Sequence, residues 1–163
     1  VDLMPKARRV RKRTKKEVPA KGRCRDIADK LWSRAVRDAW ANKCAVCGKQ
    51  PVDAHHLFPR QHEATRYMLL NGIALCSHHH RWDPDLAPHQ NGKGFDHWLR
   101  ETHYPRWEWM EEACDERLPQ SFSGTVNLVY FCEVITGFRS RFTQDEFKKI
   151  VGINFNNYLL EHY

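Results

Sequence analysis

Two short-spaced couples of metal-binding residues constrain this chain more than any other feature. Cys44-x-x-Cys47 lies in "CAVCGKQ", and Cys76-x-x-His79 lies in "LNGIALCSHHHRW". A structural zinc takes four soft or borderline ligands in a tetrahedron, commonly as two couples of this spacing. The first couple reads as a knuckle on a tight turn closed by Gly48. The second opens where a helix is expected after Cys76, and one helical turn brings residues three apart onto one side. Cys44, Cys47, Cys76 and His79 thus form a Cys3His zinc site; four unrelated buried side chains are the bland alternative. Between the couples, "PVDAHHLFPR" reads as a short strand ended by Pro59, and Gly72 to Leu75 as a second one.

A metal staple suits the rest of the chain. At 163 residues there is room for one domain with appendages or two very small ones, and a small core often needs a staple. The six cysteines could suggest a disulfide framework. Cys24, Cys114 and Cys132 are scattered, however, and the others fall into the couples. With no signal-peptide core and no run long enough to span a membrane, a reducing, cytoplasmic setting is expected.

The charge balance is basic, with 27 Lys+Arg against 20 Asp+Glu. Much of the excess lies in "KARRVRKRTKK", where Lys6, Arg8, Arg9, Arg11, Lys12, Arg13, Lys15 and Lys16 are interrupted by no acid. Such a run stays solvated and attracts polyanions, so it reads as a nucleic-acid arm, with a solubilising tail as the alternative. Beyond it, Ile27, Leu31, Ala35 and Ala39, with Trp32, Val36 and Trp40 one step round, predict a helix over 25–41. Arg25, Lys30, Arg34 and Arg37 on that helix could also touch phosphate.

Further on, "DPDLAPHQNGKG" is a loop by composition. "FDHWLRET" reads as a short helical turn. "YPRWEWMEEACDERL" reads as a helix with Pro105 at its first position and Trp107, Met110, Cys114 and Leu118 as packing positions. Residues 119–124 look like a linker. "NLVYFCEVITGF" has helical spacing, while its β-branched content leaves a strand open. "TQDEFKKIVG" is a helix with Thr143 as N-cap and Gly152 as stop. The C-terminus reads as a small helical appendage, with a helix-turn-helix around Gly152 as the lesser alternative.

The zinc couples leave His78 and His80 unexplained, and a second unusual pair, His55-His56. Adjacent strand residues face opposite ways, so one of the two can face a metal while its neighbour faces a cleft. The alternative is that both rings simply lie at the surface and meet water.

Taken together, "DAHHLFPR" and "NGIALCSHHH" resemble the HNH (His-Asn-His) endonucleases, a ββα-metal nuclease class, in the version with flanking Cys/His couples found among phage-borne members. Asn71 and His80 stand at the family's spacing, with Cys76-x-x-His79 between them. "FDHWL" and "YPRWEWM" are similar to the helical tail of phage members, so the resemblance spans about residues 30 to 118. It implies that His55 and His80 bind a catalytic divalent cation, that His56 is the general base, and that Asn71 braces the hairpin and helps orient His56. The first ligand is often Asp in the family and is His55 here. For a further ligand the resemblance offers Asp83 or His89. Asp53, on the same strand face as His55, and a cation held by two protein ligands stay open as alternatives.

The expected fold class is therefore α+β: a ββα-metal (HNH) nuclease core with a zinc knuckle, embedded in flanking helices, behind a basic disordered N-terminal arm. The expected divisions are the arm at 1–22, the nuclease domain with its flanking helices at 23–118, and the C-terminal appendage at 119–163. The expected activity is metal-dependent DNA endonuclease cleavage, nicking one strand per active site. A non-catalytic zinc-ribbon DNA-binding module is the alternative; it has no need of a second histidine cluster beside Asn71. The cofactors implied are Zn2+ and one catalytic cation, Mg2+, Mn2+ or Ni2+. Imidazole ligands favour the borderline ions over Mg2+. The partners implied are DNA and, left open, a second copy of the chain or a phage protein, in the host cytoplasm if the chain is phage-encoded.

Overall fold

One helix organises the molecule. In α1 (Lys21–Ala39) the buried residues Cys24, Ile27, Ala28, Leu31, Trp32, Ala35 and Val36 recur at helical spacing and form a wide apolar stripe. The helix starts earlier and ends sooner than the spacing predicts, so Lys21 and Gly22, assigned above to the arm, are helical. Ala41 and Asn42 then take left-handed φ angles of 51° and 55° and swing the chain into the knuckle. The computed structural model describes residues 19–115 and 127–163. The basic run, Leu118, the side chain of Cys114 and the 119–124 linker lie outside the described residues.

The chain then makes an antiparallel hairpin from β1 (Asp53–His56) and β2 (Gly72–Leu75), in the register His55 opposite Ile73 and His56 opposite Gly72. A short helix that the sequence did not announce, α2 (Glu63–Arg66), interrupts the connection. The helix expected after Cys76 is a single π turn, His78–Trp82. α3 (Gly92–Thr102) begins before the expected "FDHWLRET", because the Asn91 side chain accepts from Gly94 N at 2.9 Å and caps it early. α4 (Tyr104–Asp115) follows with Pro105 in its first turn.

The segment with open helix and strand readings is helical: α5 (Leu128–Gly137) is capped by Asn127, which accepts from Tyr130 N. A 3-10 turn (Arg139–Arg141) leads to α6 (Gln144–Val151), where Thr143 and Glu146 form a capping box. Gly152, at a φ of 93°, ends α6 and α7 (Ile153–His162) follows.

Two apolar clusters result. In the larger, the α1 stripe packs with Phe131, Cys132 and Ile135 of α5, with Phe138 just after that helix, with Phe147 and Val151 of α6, and with Phe155 and Leu159 of α7. The C-terminal helices thus share the main core with α1. The smaller cluster joins Ile73, Leu75, Cys44, Cys76, Phe95 and Leu99, with Trp107 and Met110 of α4 packed against it. α1 reaches the hairpin because Gly72 has no side chain; a Cβ there would land on the Val36 methyls and the Trp32 ring. Among the described residues no helix is long and apolar enough to cross a membrane.

Candidate active site and metal centres

The two couples meet in space. Cys44, Cys47, Cys76 and His79 present their donor atoms within 4.8 Å of one another. Cys47 Sγ lies 3.8 Å from Cys76 Sγ, and His79 Nδ1 lies 3.3 Å from Cys76 Sγ and 3.7 Å from Cys44 Sγ. With Zn–S about 2.3 Å and Zn–N about 2.0 Å, tetrahedral partners stand about 3.5–3.8 Å apart, so the set fits one zinc. The turn that brings Cys44 and Cys47 together is closed by Gly48 N bonding Cys44 O, with Gly48 at a φ of 71°. Ala45 N bonds Ala74 O and ties the knuckle to β2. Burial opposes ionisation of the Cys44 thiol, but the backbone N–H groups of Cys76, Cys47 and Val46 outweigh it and hold its pKa below the usual value. Burial, followed by the neighbouring sulfurs, pushes Cys76 up. On the far side of His79, Nε2 lies 3.6 Å from Asp83 Oδ2, an orientation common behind metal-bound imidazoles. His78, which had no assigned part, pairs with the same carboxylate at 3.1 Å.

A second centre lies on the other face of the π turn. His55 Nδ1 is 3.0 Å from His80 Nε2, and His89 Nε2 is 3.3 Å from that same nitrogen. Imidazoles sharing an ion at about 2.0–2.1 Å stand about 3.0–3.4 Å apart, so these three fit one cation. Of the residues offered as a further ligand, His89 is the one beside His55 and His80. Asp83 is turned to His78 and His79 instead. Asp53 sits 3.8 Å from His80 Nδ1, a buried nitrogen with no hydrogen-bond partner. Burial, then the neighbouring imidazoles His80, His89 and His56, lower the His55 pKa to about 3. Burial, then His89 and Arg81, lower that of His80. At neutral pH both rings are neutral, the form that binds metal.

His56 faces the other way. Its Nε2 donates to Arg66 O at 3.0 Å, which leaves the lone pair on Nδ1. Its ring stacks on Trp32 at 3.6 Å between centroids and 13° between planes, and Trp32 Nε1 is itself fixed to Met68 O. Burial, reinforced by Arg60 and Arg66 against the Arg66 carbonyl and Asp29, lowers its pKa to about 4. A free imidazole titrates near neutral pH, where a general base is ordinarily poised. The ring instead rests wholly in its proton-accepting form, and an anionic phosphate, were one bound nearby, would oppose the shift by its charge.

Asn71 is fully buried. Its Oδ1 accepts from Phe58 N at 2.6 Å, and Nδ2 donates to Thr65 O and Phe58 O. These bonds tie the loop across itself and none of them reaches His56. The atom that fixes the His56 ring, Arg66 O, belongs to the same loop. Arg66 is in turn buried and clamped to α1, with Nε and Nη2 donating to the two Asp29 carboxylate oxygens at 2.9 and 2.7 Å. Its Nη1 donates to Arg60 O. Trp32, Asp29 and Arg66 were not singled out for these parts by the sequence. The periodicity of α1 marks Trp32 as apolar, and no local signal marks the ion pair.

His55, His56, His80 and His89 line one cleft of about 1230 Å³, with Lys30, Arg34, Arg37, Arg60, Arg81 and Lys149 also on its walls. Residues 44–83 match a family model described as HNH endonuclease, so the resemblance in the sequence holds over the segment carrying the hairpin and π turn. No curated protein and no solved structure matches this chain.

Proposed function

We propose that this protein is a metal-dependent DNA endonuclease that hydrolyses phosphodiester bonds, nicking one strand per active site. The observation that carries the reading is the three-imidazole cluster of His55, His80 and His89, in the same cleft as a His56 whose free nitrogen is Nδ1. The HNH match over residues 44–83 supports the same class of chemistry and a DNA substrate. A protein that only bound DNA through its zinc knot would have no use for this second cluster.

In this reading His56 Nδ1 takes the proton from the attacking water, held in aim by Arg66 O and the Trp32 ring. His55, His80 and His89 hold the catalytic cation, with Asp53 placed to accept from His80 Nδ1. Such a cation, Mg2+, Mn2+ or Ni2+, supplies Lewis-acid stabilisation of charge on the scissile phosphate and the departing oxygen. Cys44, Cys47, Cys76 and His79 hold a structural Zn2+ that fixes the knuckle and the start of the π turn. Asn71 keeps the loop folded so that Arg66 O stays in place. The basic run with Arg8, Arg9, Arg11, Lys12, Arg13, Lys15 and Lys16 adds sequence-independent affinity for DNA.

The test is single-turnover nicking of supercoiled plasmid across a panel of divalent ions. The parent should nick, and His56→Ala should lose about 10²–10⁴ in rate while still taking up the catalytic cation. A parent that binds plasmid and leaves it intact with every ion would overturn the reading.

A further inference from the structure

The cleft has a basic wall that the matched segment does not contain. Lys30, Arg34 and Arg37 lie on α1 and Lys149 on α6, all outside residues 44–83, and they line the same cleft as His56. We infer that this wall is a phosphate-binding tract for the nucleic-acid backbone, built jointly by α1 and the C-terminal helices. The inference rests on the nuclease reading and adds to it where the substrate strand is gripped.

Three observations support it. First, the positions are periodic: residues 30, 34 and 37 share one face of α1. At about 1.5 Å rise per residue they span about 10 Å, the axial length of about three phosphates of one strand at about 3.4 Å each. Second, the charges are available. Among the described residues Lys30 and Lys149 make no ion pair and both are exposed, and Arg37 bonds only the Ser33 hydroxyl. Arg34 is the exception, held by Asp38 at 2.9 Å and by Glu146 of α6 at 3.5 Å. That second contact joins α6 to α1 at the rim. Third, among the described residues none of the acids lining the cleft pairs with Lys30, Arg37 or Lys149. Asp29 is clamped by Arg66, Asp53 faces His80 and Arg81, and Asp96 accepts from Trp107 Nε1.

The experiment compares two triple variants of the full chain, both lowering the charge equally. One is Lys30→Gln/Arg37→Gln/Lys149→Gln. The control is Lys21→Gln/Arg100→Gln/Arg141→Gln, at basic positions that do not line the cleft. Binding of a short fluorescent duplex is followed by anisotropy over a range of salt, without divalent ion, so that no cleavage enters the readout. Each phosphate contact contributes about 0.9 to the slope of log K against log salt, so the tract variant should lose about 2–3 of slope and the control much less. Equal losses in the two variants, or no duplex binding by the parent, would overturn the inference. A parent that binds with the expected slopes and never nicks would leave the tract standing and remove the nuclease reading instead.

Discussion

Asp29→Ala tests how His56, the proposed general base, is aimed. The substitution removes both acceptors from the Arg66 guanidinium and leaves one N–H bonded to Arg60 O. The Arg66 side chain is 10% exposed and that of Asp29 29%, so the pair is shielded but not sealed. Breaking a fully buried pair by removing one partner costs about 3–5 kcal/mol; with water able to reach the vacated side, about 2–3 kcal/mol is expected here. At about 2–4 °C per kcal/mol for a chain of this size, thermal unfolding should shift down by about 5–10 °C. The second effect is on rate. Arg66 O is the acceptor for His56 Nε2, so a loosened Arg66 lets the imidazole turn. Single-turnover nicking, measured well below the unfolding transition, should fall about 10–100-fold, in the range for losing a group that orients a reacting residue. That is a smaller loss than removal of the base. Asp29→Asn, which keeps an acceptor and the shape, should fall between the parent and Asp29→Ala. If Asp29→Ala lowers stability as expected but nicks at the parental rate, the clamp is structural and the aiming argument is wrong.

Three further outcomes follow from the geometry. With the Cys/His set holding zinc as proposed, Cys76→Ala should abolish zinc uptake and unfold the hairpin region, because a closed four-ligand site supplies folding energy; native mass spectrometry of a folded variant that retains zinc would contradict this. His55→Ala and His80→Ala should abolish tight binding of the catalytic cation. His89→Ala, at the exposed member of the three, should weaken it less than either, as read by calorimetric titration with Mn2+. Gly72→Ala should destabilise by about 1–3 kcal/mol by driving a methyl into Val36 and Trp32; a denaturation midpoint equal to the parent's would show that α1 can move away freely.

What the sequence disclosed was what depends on spacing. The knuckle, the hairpin strands and the opposite facing of His55 and His56 follow from short intervals and a two-residue period, and they appear in the fold where the pattern puts them. The Thr143 cap and the Gly152 stop are also local and were legible for that reason. What the pattern left undecided or hidden is long-range, and His89 was offered only as one choice beside Asp83. His89 joins His55 and His80 because the turns after Asp83, with Ala87 N on Asp83 O and Gln90 Nε2 on Arg81 O, fold the chain back; distance along the sequence carries no record of that return. The Asp29–Arg66 pair spans two elements that share no motif. The C-terminal helices read as an appendage because amphipathic spacing shows that a helix has an apolar face, without showing which surface covers it.

The sharing of α1 between the core and the hairpin bears on how such a segment could be moved between proteins. Residues 44–83 contain both sulfur-bearing couples, His55, His56 and His80. Yet the ring stacked on His56 comes from position 32, and the carboxylate behind Arg66 from position 29. A copy of that segment transplanted into a foreign loop would take the Cys/His set and two of the three clustered imidazoles with it, and leave His89 and the aim of His56 behind. The smallest transferable unit begins with α1, and α1 brings with it a bare apolar stripe that the new host must cover.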